Sequence, residues 1–336
     1  MRRIAIMGAG SWGTTLGLLA GRAGHAVRLW ARSAELVAAI NDERVNPIYL
    51  AAHRLEGDVR ATTDASAALD GAELVLLAAP SHATRALLTN IAPDVRPDMI
   101  VVSATKGIEV ETGRRISELV RDVLGAESAA RFVCLSGPSF AQEVAAGQPT
   151  AVVAACADRD VAETVQATLS FQNFRVYTNA DVVGTELGGA VKNVIALAAG
   201  MVSGLGLGAN SIAALITRGL AEVTRLALAQ GARRETLAGL AGLGDLVLTC
   251  TGALSRNRYV GQELGRGRTL TDILAGMHEV AEGVRTTRAV KLLAARNGVE
   301  MPITEQVHAV LYEGRDVCSA VEQLMSRPLR GEGEGN

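Results

Sequence analysis

The sequence predicts an α/β protein in two parts, a doubly wound parallel sheet followed by an all-helical domain. In the first half, short Val, Ile and Leu runs alternate with stretches long enough for two to four helical turns, which is typical of strands buried on both faces of a parallel sheet. Beyond residue 180 no convincing strand pattern appears, and residues 183–325 are predicted to be helical. A length of 336 residues is consistent with two domains.

The elements of the first domain, residues 1–180, follow from these runs. The predicted strands are IAIMG (4–8), VRLWA (27–31), LVLLAAP (74–80), MIVVSAT (99–105), RFVCLSG (131–137), AVVAAC (151–156) and FRVYTN (174–179). Helices are expected at 12–23, 33–41, 82–91 and 113–124. The second domain spans 181–325, with an interruption at the glycine cluster 200–208, and the Gly-rich, charged tail 326–336 is predicted to be disordered.

Charge and composition narrow the function classes. The net charge of −2 arises from 33 basic and 35 acidic residues without long blocks of one sign, which argues against nucleic acid or membrane surfaces as bulk partners. The four cysteines are widely spaced, as expected for reduced thiols in the cytoplasm. No targeting segment is predicted, and the apolar stretch from Val194 is interrupted by glycines, which favours a buried helix over a membrane span. The five histidines are isolated, so no metal site is expected.

The glycines of GAGSWG form a G-x-G-x-x-G pattern between a predicted strand and a predicted helix. In that position Gly8 makes the tight turn, Gly10 lets the backbone approach a pyrophosphate, and Gly13 lets helix and strand pack closely. The motif predicts a dinucleotide site on a Rossmann-type sheet. The alternative is a glycine-rich turn that binds nothing.

The end of the second predicted strand bears on which dinucleotide is bound. An acidic residue there would bond the ribose 2′-hydroxyl of NAD, but the sequence has Arg32 followed by Ser33, and Glu35 is expected on the next helix. An arginine can pair with a 2′-phosphate, so NADPH is favoured over NADH. Alternatively, Arg32 is a surface cation.

Two lysines are candidates for the chemistry. Lys106 follows a predicted strand, where open α/β sheets bind ligands, and Lys192 with Asn193 lies among small and apolar residues, which would desolvate its amine and lower its pKa toward that of a general acid or base. The alternatives are a solvated Lys106 and a Lys192 that snorkels at a helix end. The loop GPSFAQE offers Ser139 for binding, or has a structural role only.

The stretch 242–261 contains one carboxylate, Asp245, followed by Ser255, Arg256 and Asn257. Arginine with neutral donors suits a phosphate, although Ser255 could simply cap a helix. Glu282 precedes a further predicted helix, where it could cap that helix or contact a cofactor.

Taken in order, these segments resemble the bacterial NAD(P)-dependent glycerol-3-phosphate dehydrogenase family over residues 3–325. The landmarks are GAGSWGTTL, TKGIE, GPSFAQEVAAGQPT, AVKN, GLGDL, TC, SRNR and AEGVRT. The resemblance implies a 6-phosphogluconate-dehydrogenase-like fold and reversible hydride transfer between sn-glycerol 3-phosphate and dihydroxyacetone phosphate with NADPH or NADH, supplying glycerophospholipid synthesis. The sequence departs from the usual family pattern at Gly252 and in GSWGTTLG, where no charged or titrating group is lost.

The resemblance also implies roles for individual residues. Lys192 would accept the proton, with Lys106, Asp245 and Asn193 beside it. The remaining implied substrate contacts are Gly137, Ser139, Ser255, Arg256 and Asn257, and the implied cofactor contacts are Gly8, Gly10, Ser11, Trp12, Gly13, Arg32, Lys106, Ala141, Arg256, Val280 and Glu282.

Two other functions stay open at this point. Related two-domain dehydrogenases act on 3-hydroxy acids and pair Lys with Asn as K-x-x-N, whereas Lys192 and Asn193 are adjacent. A non-catalytic NADPH sensor with this fold is the other alternative. The sequence leaves the oligomeric state open, with a homodimer as one candidate.

Overall fold

The computed structural model describes residues 1–277, 281–329 and 331. The chain divides into two compact units. The sheet unit comprises Met1–Thr105 and Ile116–Val182, and the helical unit comprises Lys106–Arg115 and Val183–Asn336. Residues 106–115, expected from the sequence in the first domain, therefore group with the helices.

The sheet unit contains eight strands of one sheet and a short separate hairpin. The strands are β1 Arg3–Met7, β2 Ala26–Trp30, β3 Val45–Asn46, β4 Leu50–Arg54, β5 Val59–Thr62, β6 Leu74–Leu77, β7 Ile100–Ser103, β8 Phe132–Ser136, β9 Thr150–Ala155 and β10 Phe174–Asn179. The order in the sheet is β10-β9-β8-β7-β6-β1-β2-β5, and β3 pairs with β4. The sheet reverses its order at β1, so its first turn lies at the switch point where open α/β sheets bind ligands.

The helices of this unit are α1 Ser11–Arg22, α2 Ala34–Asp42, α3 Ala65–Leu69, α4 Ser81–Ile91, α5 Ile116–Ala130, α6 Ala141–Ala145 and α7 Arg159–Leu169. Within α5, Gly125 adopts φ 87°, which breaks the helix there. The central strands β6 and β7 are buried at every position, as the continuous apolar runs predict.

The sheet is not parallel throughout. Strand β9 runs antiparallel to β8 and parallel to β10, whereas the other pairs are parallel. The connection from β8 to β9 contains only the five-residue α6, so the chain returns beside β8 without a full helical crossover. The expectation of a wholly parallel sheet was wrong in this respect. The sequence analysis also missed β3, β4 and the edge strand β5, whose exposed and polar positions hide the strand pattern.

The helical unit contains α8 Val182–Gly204, of which Val182 belongs to the sheet unit, α9 Ala209–Ala229, α10 Arg234–Ala238, α11 Asp245–Thr251, α12 Arg256–Gly265, α13 Leu270–Ala275, α14 Glu282–Arg296, α15 Pro302–Tyr312 and α16 Val317–Met325. A π-helical turn, Leu240–Gly244, precedes α11. Within the described part of this unit the predicted absence of long strands is confirmed, and α8 ends inside the expected glycine cluster.

Helix α8 forms the centre of the helical unit. Among the described helices it alone is long and apolar enough to cross a membrane, but 89% of its most apolar window is buried inside the protein, as in a core helix. Glycines let α12 approach it: a Cβ on Gly200 would lie 2.1 Å from the Arg258 carbonyl oxygen, and one on Gly261 would lie 2.0 Å from that of Leu197. Backbone contact at these two points brings the polar residues of both helices together.

Helix α1 offers a test of the turn at the start of the chain. A Cβ on Gly13 would lie 1.9 Å from the Gly8 carbonyl oxygen, whereas a Cβ on Gly17 would meet only ordinary contacts beyond 3.4 Å. We expect Gly13→Ala to lower the free energy of unfolding by about 3 kcal/mol, because backbone must move. In contrast, Gly17→Ala should be neutral or raise it by up to about 1 kcal/mol through helix propensity. Urea denaturation of the two variants checks this, and equal effects would contradict the close packing.

Candidate active site

The turn between β1 and α1 has the geometry that a dinucleotide needs. Gly8 has φ 128°, and a Cβ there would lie 2.9 Å from the Ala78 carbonyl oxygen. A Cβ on Gly10 would have nothing within 4 Å, so open space adjoins the backbone at the helix start. Together with the Gly8–Gly13 contact, this geometry fits a pyrophosphate at the amino terminus of α1.

Ser11 and Trp12 are the first residues of α1. The Trp12 ring packs against that of Phe174, with 6.3 Å between ring centroids. Trp12 is partly exposed, so it remains a candidate cofactor contact.

Arg32 is exposed two residues beyond the end of β2. The neighbouring Ser33 caps α2 by accepting a hydrogen bond from the Leu36 amide at 3.1 Å, and its hydroxyl donates to the Glu35 carboxylate at 2.6 Å. Glu35 lies on α2, as expected. The site beside the second strand therefore presents an arginine, which fits a ribose 2′-phosphate.

The loop after β8 contains the other candidate residues of the sheet unit. Gly137 has φ 134°, and the Ser139 hydroxyl donates to its carbonyl oxygen at 3.0 Å. The Ala141 carbonyl oxygen, at the start of α6, accepts a hydrogen bond from the Thr15 hydroxyl at 3.2 Å. This bond ties α6 to the helix that begins at the glycine motif.

The helical unit brings Lys106, Lys192 and Asp245 together. Asp245 is fully buried at the start of α11. Its Oδ2 accepts a hydrogen bond from Lys106 Nζ at 2.7 Å, and its Oδ1 accepts one from Lys192 Nζ. The Lys192 and Lys106 side chains are 8% and 17% exposed, so neither is a solvated or snorkelling lysine. One buried carboxylate thus holds two cations.

Burial lowers the pKa of Lys192 to about 7, and the positive charge of Lys106 acts in the same direction. The carboxylate of Asp245 opposes this by favouring the charged amine. The amine is therefore poised between its two protonation states near neutral pH, as the sequence environment predicted. Cys250 lies nearby on α11, and burial raises the pKa of its thiol to about 12.

Thr249 is a site residue that the sequence analysis missed. Its hydroxyl donates to the Asp245 carbonyl oxygen at 2.6 Å and accepts from Lys192 Nζ at 2.9 Å. A neutral lysine amine has two N–H groups and one lone pair. Asp245 and Thr249 can accept both N–H groups, and Lys106 interacts with the same amine. Thr249 lies four residues after Asp245, which is about one turn of helix, and this spacing could have indicated that the two side chains lie on the same face.

Asn193 and Asn257 are bonded to each other. The Asn257 side-chain amide donates to Asn193 Oδ1 at 2.9 Å, and its oxygen accepts from the Gly283 backbone amide at 2.9 Å. Asn193 in turn donates to the Lys106 carbonyl oxygen at 3.5 Å. Both asparagines are buried, so they connect the Lys106 backbone with the start of α14. A substrate contact of Asn257 would use the remaining hydrogen of its amide.

Ser255, Arg256 and Glu282 lie at helix starts. The Ser255 hydroxyl accepts a hydrogen bond from the Arg258 backbone amide at 3.2 Å and so caps α12, which is the alternative to phosphate binding given above. Arg256 is exposed in the first turn of this helix. An exposed arginine at a helix amino terminus suits an anion, so capping and phosphate binding are compatible here. Glu282 begins α14, and Val280 lies outside the described residues.

The candidate residues therefore form two sets. The sheet unit contains the glycine motif, Arg32 and the loop of Gly137, Ser139 and Ala141, whereas the helical unit contains the two lysines, Asp245 and the asparagines. Within the described ranges, no group of three or more His, Cys, Asp or Glu could hold a metal ion. A dinucleotide turn in one unit and a buried amine of near-neutral pKa in the other define the chain as a nicotinamide-dependent dehydrogenase of the two-unit class.

Comparison with known proteins gives the family. The family model for the NAD-dependent glycerol-3-phosphate dehydrogenase N-terminus matches residues 3–162, and the C-terminus model matches 181–322. The chain is 57% identical to glycerol-3-phosphate dehydrogenase [NAD(P)+] of Koribacter versatilis over 99% of both chains. It is 54% identical to that of Nitratidesulfovibrio vulgaris, over 98% of this chain and all of the relative. The crystal structure of glycerol-3-phosphate dehydrogenase from Coxiella burnetii has a TM-score of 0.92 at 41% identity, covering 97% of this chain and 99% of the other.

The chain belongs to the NAD(P)-dependent glycerol-3-phosphate dehydrogenase family. This confirms the resemblance read from the motifs and the predicted fold class. It also decides against the 3-hydroxy acid dehydrogenases and against a non-catalytic sensor, which were the alternatives from sequence.

The shared carboxylate leads to a test of stability. Asp245→Asn removes the partner of two buried cations, and we expect it to lower the free energy of unfolding by about 3 kcal/mol. Lys106→Met leaves Asp245 paired with Lys192, so its effect should be smaller, about 1 kcal/mol. Urea denaturation of both variants measures the difference. Equal losses would show that the two lysines do not depend on one carboxylate.

Proposed function

We propose that Lys192, Lys106 and Asp245 carry the reaction of this family, with the asparagines and the α12 amino terminus binding substrate beside them. The chain is an NAD(P)-dependent oxidoreductase that interconverts sn-glycerol 3-phosphate and dihydroxyacetone phosphate. A role in supplying glycerophospholipid synthesis is consistent with this activity. The observation that supports the proposal most strongly is the single buried carboxylate that bonds both lysines.

Lys192 is the proposed acid and base. In glycerol 3-phosphate oxidation the hydride leaves C2 as the hydroxyl loses its proton, and the neutral Lys192 amine accepts that proton. In the reverse direction the protonated amine donates it to the carbonyl oxygen. Asp245 and Thr249 accept hydrogen bonds from Lys192 Nζ and so orient the amine, with Lys106 beside it.

The bound nicotinamide supplies hydride transfer. The residues proposed to hold the dinucleotide are Gly8, Gly10, Ser11, Trp12, Gly13, Arg32, Lys106, Ala141, Arg256, Val280 and Glu282. The open space at Gly10 supports this set on the pyrophosphate side, and exposed Arg32 supports NADPH over NADH. Either nucleotide is compatible with the family.

The substrate phosphate is proposed to bind at the start of α12. Arg256 offers charge-assisted donors there, and Ser255 offers a hydroxyl beside the helix amino terminus. Gly137, Ser139 and Asn257 complete the proposed substrate contacts. Binding energy from a phosphate distant from C2 orients the reacting carbon without taking part in proton transfer.

We further propose that the sheet unit binds the dinucleotide and that the helical unit binds the substrate, in a homodimer in the cytoplasm. Free thiols at all four cysteines support a reducing compartment. Light scattering should give twice the chain mass of 34.9 kDa, and a single chain mass would contradict the dimer.

The pH dependence of turnover tests the roles of the lysines. Oxidation needs the neutral amine, so its rate should rise with pH through about 7, whereas reduction should fall over the same range. Lys192→Met should lower kcat by roughly 10²–10⁴ while NADPH still binds. Lys106→Met removes a charge that lowers the pKa of Lys192, so the midpoint of the oxidation profile should move up. An unchanged kcat in Lys192→Met would sink the assignment.

Arg32 is tested by comparing the two cofactors with dihydroxyacetone phosphate as substrate. Arg32→Asp should weaken NADPH binding by about tenfold or more, because a charge-assisted bond to the 2′-phosphate is lost, and should affect NADH far less. Arg234→Asp, an equal change of charge at an exposed position of the helical unit, serves as the control. Equal losses for both nucleotides would refute the 2′-phosphate contact.

A further inference from the structure

The segment that carries Lys106, residues 106–115, is held on the helical unit by contacts of its own. It is a hairpin-like excursion between β7 and α5, closed by a bridge between Ile108 and Arg115. The Glu109 amide donates to the Arg114 carbonyl oxygen at 2.9 Å, and the Gly113 amide donates to that of Glu109 at 2.9 Å. Ile108 is buried in the core of the helical unit. The excursion therefore belongs to the unit that contains Lys192.

A buried ion pair anchors the far end of this excursion. Arg115 Nη1 donates to Glu186 Oε2 on α8 at 2.8 Å, and the two side chains are only 13% and 4% exposed. Arg296, at the end of α14, donates to the Thr112 carbonyl oxygen. Since neither pair partner faces open solvent, this ion pair is screened far less than surface pairs such as Arg159–Glu163.

Helix α8 holds both ends of the excursion. Asn193 donates to the Lys106 carbonyl oxygen, and Glu186 lies seven residues earlier, so the two side chains share one face of the helix two turns apart. Lys192 is the neighbour of Asn193 on the same helix. One rigid element therefore carries the amine and fixes the backbone from which Lys106 reaches Asp245.

We propose that the Arg115–Glu186 ion pair is a positioning device that holds Lys106 against Asp245 in the reactive arrangement. The proposal rests on the roles proposed above for Lys106 and Lys192. Arg115 and Glu186 bond each other, and we infer that they act on Lys106 through the excursion. Loss of this ion pair makes residues 106–115 more mobile, so that Lys106 is bonded to Asp245 for only part of the time. The positive charge of Lys106 then lowers the pKa of Lys192 less.

The test is steady-state kinetics of the full chain with glycerol 3-phosphate and NADP⁺ across neutral pH. Glu186→Gln, Arg115→Met and the double variant should each lower kcat/KM by about tenfold or more. They should also move the midpoint of the oxidation profile up, by about one pH unit at most and in the direction of Lys106→Met. The charges that act on the Lys192 pKa include those of Asp245 and Lys106, and Arg258 acts on the Cys250 thiol nearby, so Lys106→Met provides the reference for an upward movement.

A double-mutant comparison separates positioning from general loss of structure. In the Lys106→Met background, Glu186→Gln should move the midpoint no further, because the lysine through which it acts is absent. Glu163→Gln, the same change in the exposed Arg159–Glu163 pair, should leave kcat, KM and the midpoint unchanged. Hydrogen exchange at the Glu109 and Gly113 amides should increase in Glu186→Gln but not at α9.

The outcomes distinguish the two proposals. If Lys106→Met alters the profile while Glu186→Gln and Arg115→Met keep wild-type midpoints, the positioning role is overturned and the lysine role stands. If Lys106→Met itself leaves KM and the midpoint unchanged, the role proposed for Lys106 is contradicted, and the positioning role that depends on it is contradicted as well. Should Glu186→Gln not fold, Arg115→Lys retains the charge but shortens and reshapes the donor group that reaches Glu186. A partial upward movement in it supports the proposal, and an unchanged midpoint overturns it.

Discussion

The Asp245 carboxylate is the group on which the chemistry of the helical unit depends. It is fully buried, and its two oxygens each bond a different lysine. Burial of the amine favours its neutral form, the carboxylate favours the charged form, and the second lysine favours the neutral form again. The balance places the pKa of Lys192 near 7, where an amine can both accept and donate a proton. No metal ion is needed for this proton transfer.

Packing explains how such a site can be buried without being unstable. The carboxylate is bonded to both lysines, and Thr249 one turn later supplies an additional acceptor to the amine. Close backbone contacts at Gly200 and Gly261 allow α12 to approach α8, so Asn257 can bond Asn193. Each buried polar group in this network thus has a protein partner, which is the condition under which buried charges are tolerated.

Much of this architecture could be predicted from the sequence because local patterns determine it. Continuous apolar runs identified the central strands, and the position of GAGSWG identified the turn at β1. Strand β9 was predicted, but its antiparallel direction was not, because the direction depends on the segment that connects β8 to β9 and the apolar residues of β9 do not record it. Edge strand β5 was missed because half of it is polar. Arg115 and Glu186 were missed because each is the other's partner and they lie 71 residues apart, so neither carries a local signal for the contact.

The most direct test of this account is the pKa of Lys192 itself, read from the side-chain nuclear magnetic resonance of isotope-labelled lysine, with Lys192→Met used to assign the signal. For the chain of 336 residues we expect a titration midpoint near 7. We also expect a higher midpoint in Lys106→Met and a lower one in Asp245→Asn, because the two neighbours act in opposite directions. A wild-type midpoint near the ordinary lysine value of 10.5, unmoved by either substitution, would contradict the account.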